Sequence, residues 1–84
     1  MRKVIILGST GSIGEQALEV IRDNRDRFEV VGLVTGSNEG RMREQALEFG
    51  VEHTALGAEA AEELIRSIDA DVVLNGITGA ATTP

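Results

Sequence analysis

The sequence predicts an α/β fold: a three-layer, doubly wound parallel sheet of about four strands and three helices. Two observations predict this class. Short apolar runs rich in β-branched residues alternate along the chain with segments whose apolar residues recur at helical spacing. The 84 residues also include 10 glycines and a single proline, and the glycines stand where the apolar runs end, as they do between strands and helices. A chain of this length allows one domain.

The first strand and helix are predicted from the first quarter of the chain. Lys3–Leu7 is a continuous apolar run of the kind found in strands that are buried on both faces. From Ser12 to about Asp23 the chain reads as a helix. Its apolar residues at helical spacing are Ile13, Ala17, Leu18 and Ile21.

The next strand and helix follow a polar turn at Asn24–Arg27. Phe28–Val34 is predicted as the second strand. The second helix begins at about Glu39, and Gly50 is well placed to end it. Its apolar residues are Met42, Ala46, Leu47 and Phe49, of which Met42 and Phe49 are expected in the core.

The remaining elements are a weak third strand at Val51–Leu56, a third helix and a fourth strand at Asp71–Leu74. The third helix has one apolar stripe, formed by Ala58, Ala61, Leu64, Ile65 and Ile68. Strands that alternate with helices in this way imply right-handed crossovers and a parallel sheet.

Composition excludes several classes of function. The net charge of −6 argues against a nucleic-acid-binding face, and the lack of cysteine excludes disulfides and thiolate metal sites. His53 is the single histidine, so a histidine metal cluster is excluded. The apolar run after the basic N-terminus is too short for a signal peptide, and none is long enough to span a membrane. We therefore expect a cytoplasmic chain with no nucleic-acid or membrane partner.

The chemically informative motif directly follows the first strand and opens the first helix. It consists of Gly8, Ser9, Thr10, Gly11, Ser12, Ile13 and Gly14. Gly8 permits a sharp turn, Gly11 permits close approach of a pyrophosphate, and Gly14 permits tight packing of helix on strand. The helix N-terminus would direct free N–H groups at the phosphates, with hydroxyl donors from the serines and threonine. This context predicts a Rossmann-like dinucleotide-binding domain; the alternative is a glycine-rich turn that serves only backbone geometry.

The end of the second strand bears on which coenzyme is bound. NAD-binding proteins usually place a carboxylate there for the ribose 2′-hydroxyl, whereas this chain has Gly36, Ser37 and Asn38. These residues would not repel a 2′-phosphate, and Arg41 could supply charge, so NADPH is favoured over NADH. Glu39 lies nearby and could take the acidic role. The alternative is a plain turn and helix cap, with Arg41 merely solvated.

A third candidate is the segment Asn75–Ala81, which follows the fourth strand and would lie at the ligand crevice, or else is an ordinary strand-to-helix loop. Two other features are interpreted as structural. His53 is expected to be a surface or partly buried residue. Acidic residues are expected on exposed helix faces or first turns, namely Glu15, Glu19, Glu59, Glu62 and Glu63.

These motifs resemble the 1-deoxy-D-xylulose 5-phosphate reductoisomerase family over almost the whole chain. The segment Ile6–Gly14, reading ILGSTGSIG, is similar to the family's opening signature nearly letter for letter. The resemblance continues through Phe28–Leu33 to Gly36-Ser37-Asn38 and returns at Asn75–Ala80. Gly57–Asp71 is shorter than is usual for the family.

The resemblance implies an NADPH-binding domain over residues 1–84, in which Thr10–Ile13 hold the pyrophosphate and Gly36–Asn38 receive the 2′-phosphate. The full family enzymes rearrange a phosphorylated ketose and reduce it with NADPH, using Mg²⁺ or Mn²⁺, and are homodimers. Their catalytic, metal-binding and substrate-binding residues lie downstream of residue 84, so none is assigned here, and the chain alone is expected to be inactive. Two alternatives stay open: a stand-alone or engineered nucleotide-binding module without catalysis, and another reductase or epimerase with a similar glycine loop.

Overall fold

The computed structural model describes residues 1–76, which form a four-stranded, all-parallel sheet with three helices. The elements in chain order are β1 (Arg2–Leu7), α1 (Ser12–Arg22), β2 (Phe28–Thr35), α2 (Glu39–Phe49), β3 (His53–Leu56), α3 (Ala58–Ser67) and β4 (Val72–Asn75). The strands lie in the order β3-β2-β1-β4. The chain therefore winds outward from β1 in one direction and then crosses to its other side, which confirms the predicted doubly wound α/β class.

The element bounds differ little from those predicted, except at β3. This strand begins at His53 rather than Val51. The Val51 N–H donates to the Ala46 carbonyl at 2.9 Å, so Val51 closes the end of α2 instead of pairing in the sheet. Gly50 ends α2 as predicted, in a left-handed conformation with φ 66°.

Two apolar layers cover the two faces of the sheet. On one face α1 and α2 pack over a cluster of buried residues that comprises Val4, Ile6, Leu18, Ile21, Val30, Leu33, Met42 and Val51. On the other face α3 covers a smaller cluster that comprises Ile5, Val34, Ala55 and Leu64. Alternate residues of β1 thus serve opposite layers, which is why that strand is continuously apolar.

The inward stripe of each helix contains most of the residues predicted for it, with one misplaced large apolar residue in each. The misplaced residues are Ile13, Leu47 and Ile65, which are 51%, 84% and 37% exposed, so these three predictions are wrong. The buried position beside Ile13 is taken by Gly14 in α1. In α2 it is taken by Gln45, which shares the inward stripe with Met42, Ala46 and Phe49. A glycine and a glutamine carry no apolar signal, so the sequence pattern missed these two buried positions.

Because all four strands are parallel, their carboxyl ends meet at one edge of the sheet, and the loops that leave β1 and β2 lie there together with Gly76, the residue after β4. The β1–α1 loop is tied to the end of β2, since the N–H groups of Gly8 and Ser9 both donate to the Val34 carbonyl, at 2.8 and 2.9 Å. Among residues 1–76, no helix has the length and apolar character needed to cross a membrane.

Candidate functional site

The β1–α1 loop is a tight turn whose geometry depends on glycine at two positions. Gly8 has φ 78°, in the left-handed region that favours glycine, and its carbonyl accepts from the Gly11 N–H at 3.1 Å. A Cβ added at Gly14 would lie 2.7 Å from Ser9 Cα and 2.9 Å from the Gly8 carbonyl carbon. The predicted turn at Gly8 and the close helix–strand packing at Gly14 are both confirmed.

Gly11 is different, because no packing contact with the described part of the chain requires a glycine there. It is the residue before α1, with φ −82° and ψ 172°, a conformation that any residue adopts. Within the described residues 1–76, an added Cβ would meet only the carbonyl oxygens of Gly8 and Gly76, at ordinary separations of 3.6 and 3.7 Å. This part of the fold would therefore tolerate a side chain at Gly11, which points to the space outside the loop as the reason for glycine.

The N-terminus of α1 opens onto that space. The first backbone N–H groups of a helix have no acceptor within the helix, and no side chain of residues 1–76 caps them here. The positive end of the helix dipole lies at the same place. Gly11 and the amides that follow it therefore form an arrangement suited to an anion.

The hydroxyl groups of the loop are not equivalent. Ser12 is exposed, and Thr10 Oγ1 lies 2.6 Å from Thr35 Oγ1 in a hydrogen bond that joins the loop to the end of β2. Ser9 is fully buried, so its hydroxyl does not face the cleft as the sequence-based interpretation expected. Ser9 contributes to the loop through its backbone, whose N–H and carbonyl are both hydrogen-bonded.

The turn after β2 presents Gly36, Ser37 and Asn38, all three exposed. Asn38 is the N-cap of α2, and its Oδ1 accepts from the Arg41 N–H at 3.3 Å. The capping role that the sequence left as an alternative is therefore real. The Asn38 side-chain amide can still donate, so capping and ligand contact are compatible.

Arg41 is held by two carboxylates. Its Nε and Nη2 donate to Glu15 at 2.7 and 2.8 Å, and its Nη1 donates to Glu44 at 3.0 Å. These bonds raise the pKa of Arg41, while the Arg41 guanidinium lowers the pKa of Glu15. Glu15 lies in the first turn of α1, as expected of it, and is in addition the half-buried partner of Arg41.

The charge of Arg41 is consequently balanced by Glu15 and Glu44, whereas the sequence-based interpretation expected it to be available to a ligand. A guanidinium has five N–H donors, of which three are used in these bonds, so two remain for another acceptor. Glu39, the acid that could have taken the 2′-hydroxyl role, pairs with Arg43 at 3.3 Å.

A cleft of about 390 Å³ joins the loop to the turn. Its walls come from the glycine loop, the end of β2 with the turn after it, and the start of α3. The lining residues are Gly8, Thr10, Gly11, Val34, Thr35, Gly36, Ser37, Gly57, Ala58 and Ala61. The α3 wall was missed in the sequence, although Gly57 after β3, with φ 92°, and the small residues behind it were a signal for close approach.

The third predicted segment, Asn75–Ala81, lies mostly outside the described residues. Of the part that is described, Gly76 is buried, and an added Cβ would lie 3.0 Å from the Gly14 nitrogen and 3.1 Å from the Leu7 carbonyl oxygen. Gly76 thus lets the end of β4 pack against the start of α1. Within residues 1–76 there is no group of three or more His, Asp or Glu side chains placed to hold a metal ion.

Comparison with known proteins gives a consistent result. The family model described as 1-deoxy-D-xylulose 5-phosphate reductoisomerase matches residues 4–56. The reductoisomerase of Leifsonia xyli subsp. xyli is 67% identical over 79 residues, which are 94% of this chain and 22% of the relative. That of Tropheryma whipplei (strain TW08/27) is 58% identical over 81 residues, 96% of this chain and 22% of the relative.

A solved structure is also similar. It is a crystal structure of DOX-P reductoisomerase in complex with NADPH, fosmidomycin and magnesium, with a TM-score of 0.65 and 26% identity over 94% of this chain and 20% of that chain. The chain therefore spans about a fifth of the length of the relatives it matches.

Proposed function

This chain belongs to the 1-deoxy-D-xylulose 5-phosphate reductoisomerase family, and from that membership we propose that residues 1–84 are the NADPH-binding domain of such an enzyme. The family's printed name supplies the reaction, and a solved relative binds NADPH. The geometry of the described residues supports the assignment independently, since an open helix N-terminus and a cleft meet at the carboxyl edge of a doubly wound sheet, where such folds bind dinucleotides.

The observation on which the proposal depends most is the glycine at position 11. Among residues 1–76, a Cβ added there would make only ordinary contacts, at 3.6 and 3.7 Å, so the packing of this part of the chain does not explain the glycine. Close approach of a pyrophosphate to the bare backbone does explain it. The first amides of α1, with Thr10, Ser12 and Ile13 around them, would hold the pyrophosphate, and Gly8 and Gly14 would shape the loop that presents them.

The turn after β2 gives the coenzyme preference. We assign Gly36, Ser37 and Asn38 to the 2′-phosphate end of NADPH, because the described turn exposes hydroxyl and amide donors there and no carboxylate. Arg41 stands behind the turn with two unused N–H donors, and Glu15 fixes its direction. A phosphate would gain charge-assisted hydrogen bonds at this end, which NADH could not form.

Bound NADPH supplies a hydride for reduction of the substrate. What this chain does toward that step is to bind the coenzyme and orient it at the sheet edge; the reaction itself needs groups that we assign to other parts of the longer enzyme. These include the ligands of Mg²⁺ or Mn²⁺, for which residues 1–76 offer no donor set, and the site for a phosphorylated ketose. We also assign homodimer formation to the longer protein, and the chain alone is expected to have no turnover.

Calorimetric titration of the chain with NADPH, NADP⁺ and NADH tests the proposal. We expect binding of both phosphorylated coenzymes and weaker binding of NADH. A preference for NADH would refute the assignment of Gly36–Asn38, and absence of NADPH binding would refute the proposal as a whole.

Substitution of Gly11 tests the pyrophosphate site. Gly11→Ala should weaken NADPH binding by at least about tenfold, which is ~1.4 kcal/mol, and Gly11→Val should abolish it. Both variants should keep the circular dichroism spectrum of the parent chain. Leu47→Ala is the matched control, since Leu47 is 84% exposed on α2, and it should leave affinity unchanged. Wild-type affinity in Gly11→Val would contradict the site.

A further inference from the structure

Gln45 is a buried polar residue whose position the proposed function does not by itself explain. It lies in the middle of α2, on the stripe that faces the sheet, and is 2% exposed. Its neighbours on that stripe are apolar. Burial of a carboxamide costs free energy unless its groups are hydrogen-bonded, so the bonds that Gln45 forms indicate why it is there.

Gln45 Nε2 donates to the backbone carbonyl of Ser9 at 2.8 Å, across 36 positions of sequence. Ser9 is itself fully buried in the glycine loop. Among the described residues, neither Gln45 Oε1 nor Ser9 Oγ has a hydrogen-bond partner. Within the buried junction between α2 and the loop, a single hydrogen bond is therefore accompanied by two unsatisfied oxygens.

This arrangement adds only modestly to stability. The net gain from one buried hydrogen bond is modest, and the unsatisfied Gln45 Oε1 and Ser9 Oγ offset it. An apolar side chain in place of the amide would remove one of these oxygens but would leave the buried Ser9 carbonyl without its donor. The bond therefore matters chiefly for where it holds the loop. The specific consequence of the bond is the direction of the Ser9 carbonyl.

That carbonyl shares a planar peptide group with the Thr10 N–H. Fixing the Ser9 oxygen therefore fixes the Thr10 amide, and through it the entry of the chain into Gly11 and the start of α1. The other attachments of the loop are the N–H groups of Gly8 and Ser9 on the Val34 carbonyl and the hydroxyl pair of Thr10 and Thr35. Among the described residues, Gln45 is the one whose side chain bonds the Ser9–Thr10 peptide group itself.

The helix that carries Gln45 also begins at the turn assigned to the 2′-phosphate, with Asn38 as its N-cap. One helix thus touches both phosphate regions of the assigned site. From this geometry we propose that Gln45 is a positioning residue. Its amide fixes the orientation of the Ser9–Thr10 peptide group and keeps the pyrophosphate loop in a constant position relative to the start of α2. This inference rests on the proposed NADPH site and adds a residue to it that does not contact the coenzyme.

The test uses Gln45→Met, which keeps the length of the side chain and removes the donor. The hydrogen bond that Gln45 donates to Ser9 belongs to the pyrophosphate loop, so NADPH and NADH should both bind roughly five- to tenfold more weakly, the loss of one hydrogen bond. The pKa of Glu15 is lowered first by its partner Arg41 and also by the Gln45 amide, so a loss confined to NADPH would indicate action through that pair and would overturn the inference. Unfolding in urea should show a cooperative transition with a moderately lowered midpoint, because the buried Ser9 carbonyl loses its donor.

Gln45→Asn is the second variant, since its amide is too short to reach the Ser9 carbonyl. It should reproduce the affinity loss even if Gln45→Met does not fold. Leu47→Met on the exposed side of the same helix is the matched control and should bind both coenzymes as the parent chain does.

A direct readout is the ¹⁵N–¹H resonance of Thr10 without coenzyme. It should shift in both Gln45 variants and not in Leu47→Met, because the Thr10 nitrogen belongs to the peptide group whose oxygen loses its donor. Parent-like coenzyme affinity in both Gln45 variants would overturn the inference while leaving the NADPH site intact. If the parent chain itself binds no NADPH, the proposed function fails instead, and the two failures are thereby distinguished.

Discussion

Replacement of Gly14 by alanine should destabilise this fold severely. The added Cβ would lie 2.7 Å from Ser9 Cα and 2.9 Å from the Gly8 carbonyl carbon, where non-bonded carbon atoms ordinarily stay about 3.5–4.0 Å apart. The obstacles are backbone atoms and not the flexible end of a side chain. Either the glycine loop or the first turn of α1 must therefore move by about 1 Å.

The magnitude follows from what such a movement breaks. Overpacking of this kind typically costs about 1–3 kcal/mol. The loop cannot move away freely, because Gly8 and Ser9 donate hydrogen bonds to the Val34 carbonyl, and loss of these bonds would add about 1 kcal/mol each. We expect a total of about 3 kcal/mol, which in a domain of this size lowers the melting temperature by roughly 10–25 °C.

Urea and thermal unfolding followed by circular dichroism measure the effect. Gly40→Ala is the matched control, because Gly40 is also in a helix but an added Cβ meets nothing within 4 Å. The control should gain up to about 1 kcal/mol from helix propensity alone. If Gly14→Ala proved as stable as Gly40→Ala, the close approach of α1 to the loop would be refuted.

Two further predictions concern stability elsewhere in the chain. Gly50→Ala should lower the free energy of unfolding by about 1–2 kcal/mol, because Gly50 has φ 66°, a left-handed conformation that is strained for alanine. Among the described residues an added Cβ meets nothing within 4 Å, so the loss measured by urea unfolding reports backbone strain alone. An unchanged midpoint would contradict the left-handed end of α2. The Arg41 guanidinium holds the pKa of Glu15 below its ordinary 4.5, so the pair stabilises the fold above that pH and its contribution is lost as the pH falls through the lowered pKa. Glu15→Gln should therefore show a shallower loss of stability than the parent chain in urea unfolding at a series of pH values below 5, and an equally steep loss would refute the ion pair.

The fold could be predicted from the sequence because its signals are local. β1 is apolar at successive positions and ends at a glycine, and the three helices each carry some apolar residues at helical spacing. The glycine loop was also predictable, since the positions that need a sharp turn and close packing lie within seven residues of one another. Gly8 and Gly14 occupy the positions assigned to them.

The errors have a common physical origin. Ile13 and Leu47 were placed on the buried faces because they are apolar, but the rotation of each helix is decided by what packs against the sheet. There a glycine in α1 and a glutamine in α2 fit the available space. Val51 was placed in a strand for its propensity, whereas it closes the end of α2.

By itself the sequence determined the order of strands and helices, the glycine loop and the absence of a carboxylate from the turn after β2, because each of these depends on neighbouring residues. Only the tertiary structure decided that Arg41 is paired with Glu15 across 26 positions and that Gln45 reaches the carbonyl of Ser9 across 36. Such partners meet because α1, α2 and the loop are packed on one face of the sheet, at a distance and rotation that depend on all the residues between them.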